Sequence, residues 1–200
     1  MRKFLLSFLI ITAPLLAQYR VTDRTGKKIT IKVAHGVHDI DQVCGRDVLV
    51  RSFMAEYENV PLVDLNPKFK SIGDVRRFYE DYFDSELQHF ANGELIWVQA
   101  FEGKKLLGWA TFEMERDAAY MNLLVVDPKA QRRGVGEALT FAILSGELYP
   151  NLKEIRLLVR NVNTGGRIFY ERLGFTGFEY ERNDNFVDMS LLSPMHWEAH

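Results

Sequence analysis

The chain of 200 residues has one cysteine, Cys44, six prolines and a net charge of only −2. A single thiol excludes an internal disulfide, a redox-active thiol pair and a zinc site built from several cysteines. The balance of 25 basic and 27 acidic residues provides no overall positive field for nucleic acid, so we expect no nucleic-acid partner. Hydrophobic residues make up 47% of the chain, which together with its length predicts one globular domain.

The longest uncharged run is at the amino terminus, where residues 4–17 (FLLSFLIITAPLLA) follow Arg2 and Lys3. About 10 to 14 apolar residues are few for a bilayer span and typical of a signal-peptide core. We predict cleavage after Ala17 and export of the protein to the periplasm or the exterior. The alternatives are that residues 1–17 remain as a membrane anchor, the one contact with a membrane that we expect, or form an apolar first helix of a cytoplasmic protein.

Residues 18–200 are predicted to form one α+β domain. The first predicted strand, Lys28–Val33, alternates polar and β-branched residues. The other predicted elements are helices over 39–57 and 71–92, strands over 94–101, 106–114 and 119–126, a helix over 136–148, a strand over 153–160, a helix over 166–173 and strands over 178–180 and 186–191. Asp39 or Asp41 is expected to cap the first helix, and the short turns between the three consecutive strands predict an antiparallel meander.

The segment 121–139, MNLLVVDPKAQRRGVGEAL, combines an apolar strand, a short turn and a glycine-bearing helix start. The first N–H groups of a helix bind anions, and glycine allows a phosphate to approach the backbone. Arg132 and Arg133 add positive charge for phosphates. The segment lacks the patterns of a P-loop and of a dinucleotide-binding turn. By itself it predicts either an anion-binding loop or an ordinary solvated turn.

Two motifs in order place this segment in a family context. QRRGVG, residues 131–136, matches the loop [QR]-x-x-G-x-[GA] of the GCN5-related N-acetyltransferases (GNAT) and follows Leu124-x-Val126-x-Pro128. NTGGRIFYERLGF then follows the second signature of that family, with Gly166 where alanine is usual. The chain therefore resembles the GNAT superfamily over about residues 28–192, most sharply over 121–175.

The resemblance implies a central, mostly antiparallel sheet flanked by helices and splayed between the strands predicted over 119–126 and 153–160. Acetyl-CoA, the implied cosubstrate, would lie in that gap, with its pantetheine on the first strand and its pyrophosphate on the loop. The implied cofactor-binding residues are Leu124, Val125, Val126, Gln131, Arg132, Arg133, Gly134, Val135, Gly136, Glu137, Asn163 and Tyr170. We expect the Glu137 side chain to point away from the phosphates. No metal is predicted, because the five histidines show no ligand spacing.

The implied activity is direct transfer of an acetyl group from acetyl-CoA to an amine. Tyr170 matches the general acid of the family, although it is also a plausible packed aromatic. The positions that match the family's usual base hold Tyr120 and Asn122, so the predicted base is Glu113 on the preceding strand; a solvated carboxylate is the alternative for it.

The acceptor is predicted to bind against the first two helices, the loop 61–70 and the carboxyl-terminal strands. Its identity, and whether the protein forms a homodimer, stay open. A different function is also open, that of a non-catalytic acyl-CoA-binding sensor or interaction module with the same fold. Export conflicts with the chiefly cytosolic location of acetyl-CoA, so an exported enzyme would need a local supply.

Overall fold

Eight strands pair into one sheet, and helices cover both faces of this sheet. The computed structural model describes residues 18–144, 149, 151–178 and 186–192. In chain order the elements are β1 Gln18–Thr22, β2 Lys28–Val33, α1 Gln42–Glu56, α2 Leu62–Leu65, α3 Ile72–Ala91, β3 Ile96–Glu102, β4 Lys105–Glu115, β5 Ala118–Val126, α4 Val135–Phe141, β6 Glu154–Arg160, α5 Thr164–Arg172, β7 Thr176–Phe178 and β8 Phe186–Leu192.

The predicted elements within the described residues are present, with four differences. The strand predicted over 178–180 lies two residues earlier, as β7, and residues 179–180 are outside the described residues. The sheet begins at Gln18 rather than at Lys28, because the additional strand β1 pairs with residues 28–32 of β2. The short helix α2 was not predicted. The helix predicted over 136–148 ends at Phe141 and continues as a 3-10 turn, Ala142–Leu144, while 145–148 lie outside the described residues.

The strand order is β1-β2-β3-β4-β5-β6-β8-β7, and every neighbouring pair is antiparallel except β5 and β6. These two parallel strands pair only from Ala118 with Glu154 to Met121 with Leu157. Immediately after Met121, Asn122 forms a bulge, because Thr111 of β4 pairs with Leu123 and the next β4 residue pairs with Met121. Beyond this point β5 and β6 separate, as expected for the splayed sheet.

Two hydrophobic clusters hold the helices on opposite faces of this sheet. On one face, residues of α1 and α3 pack against Leu123 and Val125 of β5. On the other face, α4 and α5 pack against Ala119 and Met121 of the same strand. The central strand β5 is therefore covered on both faces. Both helical layers extend along it past the point where β5 and β6 separate.

The α1 helix approaches α3 and β4 closely at Gly45. The Trp109 indole N–H donates a hydrogen bond of 3.1 Å to the Gly45 carbonyl. Phe83 lies edge-on to both Trp97 and Trp109, with ring centroids 5.7 and 5.8 Å apart. A Cβ atom at position 45 would lie 3.0 Å from the Phe83 ring, so an alanine there would require the ring to shift by a few tenths of an ångström.

Capping residues set the starts of α1 and α3. The Asp41 carboxylate, one of the two predicted caps, accepts a hydrogen bond of 3.0 Å from the Cys44 N–H. Ser71 and Asp74 form a reciprocal capping box at α3. Val43, in the first turn of α1, is 76% exposed, whereas Val48 and Leu49 of the same helix are buried.

Residues 1–17 lie outside the described residues, so their predicted cleavage and the predicted export stay predictions. Of the helices that the structure describes, none is both long and apolar enough to cross a membrane.

Alanine substitutions at two helical glycines should have opposite effects on stability. Gly45→Ala should lower the free energy of unfolding by about 1–3 kcal/mol, because the Phe83 ring that it meets is buried between two tryptophans. Gly73→Ala is the matched control: its Cβ meets only the Ser71 hydroxyl at 3.4 Å, so it should stabilise by about 0.5–1 kcal/mol. Urea unfolding measures both, and equal effects would contradict the close approach at Gly45.

Candidate active site

The separation of β5 from β6 leaves two strand edges facing a gap. Residues 122–126 of β5 and 158–160 of β6 lie beyond the last parallel pair, Met121 with Leu157. An unpaired edge offers backbone N–H and C=O groups to which an extended ligand with amide groups can bind as an added strand. Leu124, Val125 and Val126 lie on this edge, in agreement with the position implied by the resemblance.

The loop predicted to bind a pyrophosphate connects β5 to α4. Arg132 and Gly134 have positive φ values of 64° and 90°, a conformation that turns the chain sharply before the helix. The N–H groups of the first α4 turn, from Val135 to Glu137, have no intrahelical acceptor, because a helix leaves its first N–H groups unpaired. The loop therefore presents unpaired backbone N–H groups beside the gap, and its binding of a pyrophosphate stays a prediction.

The two consecutive arginines of the loop differ in exposure and in their partners, a difference that the local sequence does not reveal. Arg132 is exposed. The Arg133 side chain is only 15% exposed; its Nε donates to Asp23 at 2.7 Å, and its terminal nitrogen also contacts Glu102. The expectation that both side chains add charge for phosphates is therefore wrong for Arg133, whose side chain is bound within the protein.

The turn between β1 and β2 is held against this loop. The Arg24 N–H donates to the Arg133 carbonyl at 3.0 Å, and the Arg24 guanidinium pairs with Glu137 at 2.9 Å. Burial of the Asp23 carboxyl disfavours its charge, but hydrogen bonds from Thr25, the Lys27 N–H and Arg133 hold its pKa well below its usual range. The Arg24 guanidinium therefore offsets the negative charge of Glu137 beside the loop that is predicted to bind an anion.

Asn163 caps α5 at the opposite side of the gap. Its side-chain oxygen accepts a hydrogen bond of 2.5 Å from the Gly166 N–H, and its side chain also hydrogen-bonds Tyr57. A Cβ atom at position 166 would lie 2.6 Å from that oxygen. Glycine in place of the family's alanine therefore leaves room for the folded-back Asn163 side chain.

Tyr170 reaches the point where the two strands part. Its hydroxyl lies 3.8 Å from the Met121 sulfur, and Met121 is in the last parallel pair. Its ring also packs on Phe169 and Phe175, with centroids 5.1 and 5.4 Å away. Burial raises the pKa of Tyr170, so the phenol stays protonated at neutral pH and keeps a proton to donate.

The predicted base Glu113 is exposed and pairs with Tyr120 across the β4–β5 ladder, and its role stays a prediction. A second carboxyl nearby was missed from the sequence. Glu86 of α3 is 5% exposed and accepts a hydrogen bond of 2.5 Å from the Thr111 hydroxyl, and the nearby Asn122 side chain helps to lower its pKa. The available signal was its place on the buried face of α3, one turn after Phe83.

Among the residues that the structure describes, no three His, Cys, Asp or Glu side chains lie close enough to hold a metal ion.

The two loop arginines should differ in their effect on stability. Arg133→Met should lower the melting temperature by several degrees, because it leaves the buried Asp23 carboxylate without its cation. Arg132→Met removes the same charge from an exposed side chain and should leave the melting temperature nearly unchanged. Thermal unfolding at pH 7 measures both variants.

The difference between wild type and Arg133→Met should depend on pH. The pKa values of Asp23 and Glu102 are lowered in the folded protein, so this stabilisation is complete above their unfolded pKa values and is lost as the pH falls through the folded ones. The gap in melting temperature should shrink below about pH 4. A constant gap down to pH 2 would contradict the ion-pair explanation.

Comparison with known proteins supports the same family. The Acetyltransferase (GNAT) family profile matches residues 56–175. The search of curated proteins found no significant match. Among solved structures, the PaiA N-acetyltransferase from Thermoplasma acidophilum in complex with coenzyme A has a TM-score of 0.65 at 16% identity, covering 81% of this chain and 98% of that one.

Two further structures share the fold. The ribosomal-protein-S18-alanine N-acetyltransferase from Escherichia coli has a TM-score of 0.58 at 20% identity, covering 86% of this chain and 98% of that one. The GNAT domain of S. lividans PAT has a TM-score of 0.61 at 18% identity, covering 88% and 97%. With the splayed sheet and the loop before α4, these findings establish that the chain belongs to the GNAT acetyltransferase family.

Proposed function

We propose that the protein transfers an acetyl group from acetyl-CoA directly to the amine of an acceptor. The observation that carries this proposal is the gap between β5 and β6, which has unpaired strand edges on both sides and the Tyr170 hydroxyl at its apex. A half-buried, protonated hydroxyl at this apex supports a chemical step over binding of a metabolite alone.

The parts of acetyl-CoA correspond to different parts of the gap. The pantetheine amides would pair with backbone groups of residues 124–126, and the pyrophosphate would accept hydrogen bonds from the first α4 turn. The exposed Arg132 adds positive charge at the loop, and Asn163 lies at the opposite wall. The N–H of Val125 or Val126 would polarise the thioester carbonyl.

Tyr170 would complete the reaction by donating its proton to the leaving sulfur. The phenol is protonated at neutral pH, and among the described residues its hydroxyl contacts a weak acceptor, the Met121 sulfur. Its proton would therefore be free to pass to a thiolate bound beside it. The acceptor would enter from the face of the sheet covered by α1 and α3. Its identity, including whether it is a cationic small molecule or a peptide amine, stays open.

Binding of coenzyme A is the first expectation to test. Acetyl-CoA and CoA, each at about 100 times the dissociation constant, should add about 2.7 kcal/mol of stability, or about 5–10 °C in melting temperature, to the full-length protein. ATP shares the adenine and phosphates but lacks pantetheine, and should give little shift. A folded protein that shifts with none of the three would remove the basis for an acyl-CoA function.

Tyr170→Phe distinguishes an enzyme from a non-catalytic acyl-CoA-binding module. The variant should keep the CoA-induced thermal shift while kcat falls about 100-fold or more, because only the proton donor is lost. Tyr19→Phe is the matched control: its hydroxyl donates to the Ala138 carbonyl from β1, at the far edge of the sheet, and turnover should persist. Unchanged turnover in Tyr170→Phe would restrict Tyr170 to packing.

A further inference from the structure

Three carboxylates are buried in the part of the chain that the structure describes, and they differ in what accompanies them. Asp23 is paired with Arg133, and Asp127 is paired with Arg51 at 3.0 Å. Glu86 has neither a lysine nor an arginine partner among the described residues. An unpaired buried charge costs several kcal/mol, so stability alone does not explain a carboxyl at this position.

The partners of Glu86 place it at the parting of the two strands. Thr111, which donates to Glu86, pairs with Leu123 across the β4–β5 ladder. Asn122, which lies near Glu86 and helps to lower its pKa, is the bulged residue immediately after the last parallel pair. Glu86 is therefore bound to β4 directly opposite the part of β5 where the gap begins.

Tyr170 and Glu86 approach this point from opposite faces of the sheet. Tyr170 reaches Met121 from the face covered by α4 and α5, whereas Glu86 reaches Asn122 from the face covered by α1 and α3. Met121 and Asn122 are consecutive in the chain. A thioester lying in the gap would thus have a proton donor on one side and a carboxylate on the other.

We infer that Glu86, with its carboxyl held by the Thr111 hydroxyl beside the start of the gap, takes the proton from the attacking amine. This inference rests on the proposed acetyl transfer. Neither Tyr120 nor Asn122 supplies a proton acceptor on β5 itself. Glu86 would supply one from α3, a helix that precedes β5 in the chain.

The proton and bond changes balance without another reactant. The ammonium group of the acceptor gives one proton to the Glu86 carboxylate, and the freed lone pair forms the C–N bond at the thioester carbon. The C–S bond breaks with its electron pair on sulfur, which takes the proton of Tyr170. The second nitrogen proton restores the Tyr170 phenol, and Glu86 releases its proton to solvent.

The surroundings of Glu86 suit this role. Burial raises the pKa of the Glu86 carboxyl, and the nearby Glu113 carboxylate on β4 acts in the same direction, whereas Thr111, Asn122 and His89 act in the opposite one. Tyr82 on α3 also faces Glu86, and Tyr120 on β5 faces Tyr82. A base with a pKa moved toward neutrality is an effective one.

The test is the pH dependence of kcat/KM in the full-length protein. Acetyl-CoA is supplied with spermidine, lysine and a peptide that has an N-terminal alanine and an internal lysine, and release of free thiol is followed. In the wild type, kcat/KM should fall as the pH falls through the Glu86 pKa, because only the carboxylate accepts a proton. Glu86→Gln should reduce it about 10²–10⁴-fold at pH 7.

The shape of the profile separates a proton acceptor from a structural residue. Without a base, Glu86→Gln should lose the limb at the Glu86 pKa, and its activity should instead rise with pH up to the higher pKa of the amine itself. The matched control is Glu80→Gln on α3, where Glu80 pairs with Arg76, and it should keep the acidic limb of the wild type. Glu113→Gln tests the other predicted base: it should keep an acidic limb that lies at lower pH, because the Glu113 carboxylate helps to raise the Glu86 pKa.

Thr111→Val keeps the carboxyl but removes a hydrogen bond that lowers its pKa, so the acidic limb should move to higher pH. This variant decides the question if Glu86→Gln does not fold, as judged by its melting curve and its thermal shift with CoA. A limb that does not move in Thr111→Val would then overturn the inference.

Wild-type activity with an unaffected Glu86→Gln profile, or loss of the limb in Glu113→Gln alone, overturns the role of Glu86 and leaves acetyl transfer intact. A folded, CoA-binding wild type that acetylates none of these amines overturns the proposed function for them, and the role of Glu86 with it.

Discussion

The short parallel pairing of β5 with β6 is the constraint on which the rest of the site depends. Both strands keep a complete partner on their other side, β4 for β5 and β8 for β6, so their separation leaves neither strand without a ladder. The helices on both faces bury β5 above and below the gap. The opening is thus built into a rigid, well-packed region, and it does not depend on a mobile loop for its position.

A second set of contacts fixes the loop that begins α4. The turn between β1 and β2 contributes Asp23 and Arg24, which pair with Arg133 and Glu137 on either side of Gly134. Such pairing holds the loop backbone while leaving the first N–H groups of the helix for a ligand. The hairpin β1–β2 therefore supports the loop by direct contact, although β3 and β4 separate it from β5 within the sheet.

Local patterns in the sequence predicted most of the fold, including the strand, the loop and the helix that surround the gap. The strand over 118–126, the loop after it and the capped helix with Tyr170 are short, contiguous motifs, so their signals survive in one sequence. The missing parts depend on contacts between distant residues. Arg133 meets Asp23 across 110 residues, and Glu86 meets Asn122 only once α3, β4 and β5 are assembled. The strand β1 was missed because it has only two apolar residues, Tyr19 and Val21.

The four residue pairs between β5 and β6 also divide the sheet into two half-sheets, β1 to β5 and β6 to β8. An extended molecule in the gap that bonds to both edges would act as an additional structural element, because it would replace the cross-strand hydrogen bonds that the chain omits. The cosubstrate would then be part of the architecture during each catalytic cycle, and its departure would leave the backbones of the two half-sheets paired through that short seam alone.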